Sequence, residues 1–190
     1  MKKFIIMLAG SALLFSCKQD TKTYEDQKEL ADKVNDEKFG KRVEKDADFL
    51  VDAIDISMLE VSVSEMALSR SENKEVKDIA NMLIFDHQQS IKEMNTLAGK
   101  KGVLVPNQLS DEAMKKRSKL RDAKPEDFDK EYIELLDKEH KDAIDRFEKE
   151  MRETQDPEYS AWASASLITL RSHHDSIEKC LDKLREMQKN

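Results

Sequence analysis

The chain has 190 residues, 38% of them charged, and its 40 acidic against 33 basic residues give a net charge of −7. An acidic chain of this kind excludes electrostatic capture of nucleic acid or of an anionic lipid surface. Only four Gly, three Pro and two Cys are present; with abundant Glu, Lys, Leu, Met and Ala, this excludes a disulfide framework and points to an all-α domain.

In chain order, the first element is an export signal. Met1-Lys2-Lys3 is a cationic start, Phe4 to Phe15 is apolar, and Leu14, Ser16 and Cys17 occupy the −3, −1 and +1 positions of a lipoprotein cleavage box. The pattern resembles the bacterial lipoprotein signal class. Its apolar run of 12 residues is too short for a hydrocarbon core, which needs about 20. Cleavage after residue 16 leaves 174 residues, and the loss of Lys2 and Lys3 takes the net charge to −9. Cys17 would carry the lipid that anchors the chain to the membrane, and Cys180 is left without a partner. The expected location is the cell envelope, the outer membrane rather than the inner, with the domain in the periplasm or at the cell surface.

Residues 17–43 are polar and charged with few large apolar groups, and read as the lipidated Cys and a tether. The folded domain is expected over residues 44–190. Helix one is expected over about 46–70, where Leu50, Val51, Ile54, Met58, Val61 and Leu68 recur at three- and four-residue steps. A second stripe containing Phe49, Ala53, Ile56 and Val63 widens the buried arc. Asn73 is placed to cap helix two, which runs to about Lys100 and is ended by Gly102 and Pro106. A long connection follows, within which Ser110-Asp111-Glu112 is placed to cap a short helix. Helix three is expected to open at Pro125-Glu126 and helix four at Asp156-Pro157-Glu158. Short links after helices one and three make two antiparallel hairpins, hence a ferritin-like four-helix bundle.

Three of the four His, His87, His140 and His173, fall in the middle of apolar faces, and Glu60 lies on the buried stripe of helix one. Counted from the hairpin turns, the four sit at levels that differ on the order of 3–6 Å. Two readings fit. Three imidazoles and a carboxylate suit one transition-metal ion, Zn²⁺, Fe²⁺ or Cu²⁺, with Met58, Met66, Met82 and Met94 as soft donors for copper. Alternatively they form a polar core layer whose members satisfy each other, the commoner fate of inward His. Glu65, Asp86, Asp137 and Glu139 are candidates for supporting the ligands. A di-iron centre is disfavoured: it needs Glu-x-x-His twice, whereas Ile84 and Leu170 stand three residues before His87 and His173. No catalytic motif is present, Cys180 reads as a buried thiol, and Asp175 and Glu178 near His174 read as a solvated face.

The residues Phe49-Leu50-Val51-Asp52-Ala53, Met58-Leu59-Glu60-Val61, Asn73-Lys74-Glu75-Val76-Lys77, Asp86-His87, Ala98 to Val103 with Pro106, Tyr132, Glu139-His140 and His173 together resemble the bacterial domain-of-unknown-function family 4142, over about residues 45–188. The resemblance implies a ferritin-like four-helix bundle in an exported protein, of a kind often described as outer-membrane, and no established activity. It places Glu60, His87, His140 and His173 at the family's recurrent polar positions. Glu139 departs from the Asp more usual before that His, and many relatives lack a lipoprotein signal. The functional expectation is an envelope lipoprotein acting as a non-enzymatic binding or stress-related module with an envelope protein partner; the alternative is a metal-binding protein using the Glu/His cluster.

Overall fold

A computed structural model describes residues 24–187; the signal segment and Cys17 lie outside the described residues. Six helices are described: α1 (Tyr24–Lys38), α2 (Lys41–Arg70), α3 (Lys74–Lys101), α4 (Asp111–Arg121), α5 (Phe128–Glu153) and α6 (Pro157–Met187). Helices α2 and α3 form one antiparallel hairpin and α5 and α6 the other. The hairpins meet so that α3 and α6 run antiparallel: Lys183 Nζ lies 2.7 Å from Glu75 at one end, and Lys101 Nζ lies 2.5 Å from Asp156 at the other. The chain is thus an all-α bundle of two helical hairpins.

The caps explain where the elements stop. Asn73 Oδ1 accepts from the backbone N–H of Glu75 (2.9 Å) and Val76 (3.4 Å), satisfying two of the orphan donors at the start of α3. Gly102 adopts φ 67° after its last turn, a left-handed conformation that favours glycine. Ser110 Oγ accepts from Ala113 N–H at 3.1 Å and opens α4; its own N–H and hydroxyl donate to Asp55 on α2. Asp156 caps α6 ahead of Pro157.

Three boundaries differ from expectation. Residues 24–38, read as tether, form α1, whose Ala31 and Asn35 are buried; Asn35 donates to Leu104 C=O and accepts from Leu104 N–H. Helix α2 begins at Lys41 rather than Asp46, in a charged stretch that carries no apolar stripe. Helix α5 begins at Phe128 rather than Pro125, because residues 124–127 close a turn with Asp127 N–H donating to Lys124 C=O at 3.1 Å.

Two apolar clusters fill the bundle. One gathers Leu59, Val63, Leu83, Tyr132, Leu136 and Ile177, and the other Leu50, Ile54, Met94, Phe147, Tyr159 and Leu170. Each fully buried side chain of this size stabilises by about 1.5–3 kcal/mol. On α3, α5 and α6, residues 87, 140 and 173 fall between the stretches that feed the two clusters, and on α2 Glu60 lies next to Leu59, where the first cluster's stretch begins.

Arg70 fastens the crossover between the hairpins. Its guanidinium donates to the carbonyls of Leu120 (3.2 Å), Arg121 (2.8 Å) and Ala123 (2.8 Å), and lies 4.1 Å from the Phe128 ring centroid. Lysine has neither the planar fork nor the stacking face. Arg70→Lys is expected to cost about 1–2 kcal/mol, read as a lower urea midpoint; an unchanged midpoint would show that water replaces the three bonds.

Candidate metal centre

Each long helix contributes one group to a layer between the two apolar clusters. Glu60 of α2, His87 of α3, His140 of α5 and His173 of α6 are 1%, 5%, 0% and 2% exposed. The structure brings all four together. Glu60 Oε2 lies 2.5 Å from His87 Nε2, and Glu60 Oε1 lies 3.3 Å from His140 Nδ1. His140 Nε2 lies 3.4 Å from His173 Nδ1. One ring nitrogen from each His falls within 4.8 Å of the other two.

The neighbours assign the tautomers. His140 Nδ1 faces two acceptors, Leu136 C=O at 3.1 Å and the Glu60 carboxylate, so it carries the hydrogen and Nε2 holds the lone pair. His173 Nε2 lies 2.8 Å from Asp86 Oδ2, so it donates there and Nδ1 holds the lone pair. The two lone pairs therefore face each other across 3.4 Å. Two nitrogens each about 2.1 Å from a tetrahedral zinc lie about 3.4 Å apart. His87 faces oxygens on both sides, with Nδ1 placed 3.3 Å from Ser57 Oγ and Nε2 turned towards Glu60. His87 Nε2 and Glu60 Oε2 are close but not aligned as a hydrogen bond, and both are buried. His140 and His173 thus each have one nitrogen held by an oxygen and the other directed at its neighbour across the layer, the arrangement by which outer partners orient metal-binding imidazoles.

Electrostatics set the same state. Burial, and the neighbouring imidazoles, push the pKa of His140 down against the pull of Glu60. Burial does the same to His173, outweighing the Asp86 contact. Burial alone would raise the Glu60 carboxyl, but the charge interactions with His140 and then His87, with the close His87 contact, outweigh it and hold the carboxyl at about 2. At neutral pH the layer therefore presents neutral His140 and His173 beside the ionised Glu60 carboxylate, the protonation states in which these groups bind metal.

The proposed supporting carboxylates separate. Asp86 lies in the layer through His173. Glu65 does not: it is exposed on the outer side of α2. Glu139, although 3% exposed, turns away to pair with Lys116 of α4 at 2.9 Å. Asp137 lies one turn from His140 but accepts from His174 Nε2 at 3.1 Å and from Lys141 at 2.9 Å. With Glu178 it gathers around His174, which is therefore half-buried in an ion-pair group and not on a free solvated face. Met58, Met66, Met82 and Met94 pack in the apolar clusters. Cys180 is a free thiol among apolar residues, pushed up to about 11 by burial and then by Glu75. Two groups missed from sequence are Ser57 and the Leu136 carbonyl. Ser57 shares a face with Glu60, three residues on, and that spacing was its signal; a carbonyl leaves none.

No curated protein matches the chain. Its fold is similar to the crystal structure of a DUF305 fragment from Deinococcus radiodurans, with a TM-score of 0.64 and 16% identity over 73% of this chain and 95% of that one. The sequence profile of one family matches residues 25–180, most of the described bundle with the histidine layer at its centre. The chain belongs to that family, the domain of unknown function DUF4142.

Proposed function

We infer that the bundle binds one transition-metal ion through Glu60, His87, His140 and His173, and that a lipid on Cys17 holds it at the cell envelope, at the outer membrane, with the domain in the periplasm or at the surface. The observation that carries the metal reading is the 3.4 Å approach of His140 Nε2 to His173 Nδ1, the two nitrogens to which the outer partners assign lone pairs. Lone pairs at that distance repel until a cation lies between them. A proton would serve, but burial disfavours it on both rings. A divalent ion gains bonds to both nitrogens and to a nitrogen of His87, the three lying within 4.8 Å of one another, while the ionised Glu60 carboxylate beside them offsets its charge and moves in to complete the shell. Imidazole with one carboxylate favours Zn²⁺, Fe²⁺ or Cu²⁺ over the oxygen-seeking Mg²⁺ and Ca²⁺. The anchor reading rests on the residues around Cys17; no helix among the described residues is long and apolar enough to cross a membrane.

The test is elemental analysis of the full chain, purified without a His tag, offered each of the three ions in turn and desalted. A stoichiometry near one ion per chain is expected, with a rise in Tm on loading. Retention of none of the three would sink the metal reading and leave the four residues as a self-satisfied polar layer.

A further inference from the structure

The histidine layer is closed along the bundle axis by the two apolar clusters, so an ion can reach it only from the side. The hairpin seams α2–α3 and α5–α6 are tightly packed, and α4 covers the flank formed by α2 and α5, with Lys116 on Glu139 and Arg117 on Ser62. A cavity of about 690 Å³ does open on that flank, but none of the four layer residues lines it. The fourth flank, between α3 and α6, carries a groove of about 220 Å³ whose floor is formed by Glu60, His87 and His173. Its rim carries Gln89 and Glu93 of α3 and Thr169 of α6, all exposed. Asp86 joins rim to floor: its side chain is 36% exposed, and it accepts from His173 Nε2 at 2.8 Å.

We propose that the α3–α6 groove is the route by which a divalent transition-metal ion enters and leaves the layer, with Asp86 as the carboxylate that receives it from solvent beside His173. The proposal rests on the metal reading above and deepens it, since it makes the ion exchangeable rather than locked into the core. The lining suits a hydrated cation. Asp86 and Glu93 supply negative charge at the mouth, and the hydroxyls of Ser57, Ser90, Ser166 and Thr169 replace departing water. Charge at a narrow mouth raises the local concentration of a cation and its rate of entry.

The register set by Lys183–Glu75 and Lys101–Asp156 puts Gln89 level with Thr169 across the groove. Both are exposed, so tryptophan at both positions caps the mouth without entering the core. In the full chain, Gln89→Trp/Thr169→Trp is expected to take up Zn²⁺, and to release it to excess chelator, at least about ten-fold more slowly, since exchange then waits on local opening. Stoichiometry and equilibrium Kd should be unchanged. Asp86→Asn keeps an oxygen for His173 Nε2 but loses the charge, and should slow uptake about ten-fold with a weaker dependence on ionic strength. Glu65→Gln, an exposed carboxylate outside the groove, serves as control and should change neither rate. Unaltered exchange in the capped variant would overturn the route, as would a raised Kd with an unaltered uptake rate. A wild-type chain that takes up no metal fails in a different way, by removing the metal reading itself.

Discussion

His140→Ala is expected to weaken metal binding by at least about 100-fold while the bundle remains folded. Disturbing a partner one step removed from a metal costs about 10–100-fold; removing a donor must cost at least the upper figure. His140 is the only layer donor from α5 and is fully buried, so no solvent-exposed rotamer substitutes for it. Truncation also leaves a cavity worth about 2–4 kcal/mol, and a lost signal could then reflect unfolding. His140→Leu fills most of that space and should lose the ion equally, with circular dichroism confirming the helices. His174→Ala is the counter-control. That residue belongs to the outer group with Asp137 and Glu178, and its removal should leave the calorimetric titration unchanged. Wild-type affinity in both His140 variants would take α5 out of the site; loss in His174→Ala would move the ion to the outer group.

With chelator present, the metal-free histidine layer should lose its contribution to stability in two steps as the pH falls. Burial lowers the pKa of His140 and His173 from the ordinary 6.5. The unfolded chain therefore takes up protons that the native layer refuses; their contribution is whole above about pH 6.5 and falls below it. Glu60 is held at about 2 against an ordinary 4.5. Its contribution is present above pH 4.5 and gone by about pH 2, and amounts to on the order of 3 kcal/mol. Two carboxyls act in the opposite sense. Burial and then Asp46 raise Glu150 to about 8, and burial and then Asp32 raise Asp48 to about 6; their contributions are present in acid and lost as the pH rises. The groups facing the two imidazoles are Glu60 from α2 and His87 with Asp86 from α3, so the double variant His140→Leu/His173→Leu isolates the first step. Between pH 7.5 and 5.0 Glu150 and Asp48 oppose the imidazoles, so the first step is read as a difference: on going from 7.5 to 5.0 the urea midpoint of the variant should rise relative to that of the wild type, whereas the wild-type midpoint should fall between 5.0 and 3.5. An identical change in wild type and variant between 7.5 and 5.0 would assign that limb to other groups.

The layer was legible in the sequence because residue counting along helices is close to measuring distance. Four polar residues in the middle of apolar faces, at similar heights above two tight turns, had little choice but to meet once the hairpins faced each other. Their supporting groups were not legible in the same way, because these depend on rotation about the helix axis and on what packs outside. Glu139 and Asp137 both flank His140 in the sequence, yet one turns to α4 and the other to α6. The route of α4 is set by Arg70 and Asp55, contacts about 50 residues apart that no local pattern announces. Caps with a side-chain mechanism, such as Asn73, Ser110 and Asp156, were readable. Helix α1 was not, because its buried face is built on Ala31 and Asn35, and a polar Asn in a charged stretch reads as a loop signal.

The docking of α1 has a consequence for where the domain can work. Asn35 fastens α1 to the backbone of Leu104 at the end of the α3 hairpin arm, so α1 moves with the body. An extended chain spans at most about 3.6 Å per residue. With lipid on Cys17 as proposed, the leash from anchor to body ends at Tyr24 rather than Glu44, and covalent geometry limits it to about 25 Å instead of about 95 Å. A body on so short a leash samples only the layer next to its own membrane. Whatever delivers or collects an ion there has to come to that surface, and an exchange partner fixed in an opposing membrane would be out of reach.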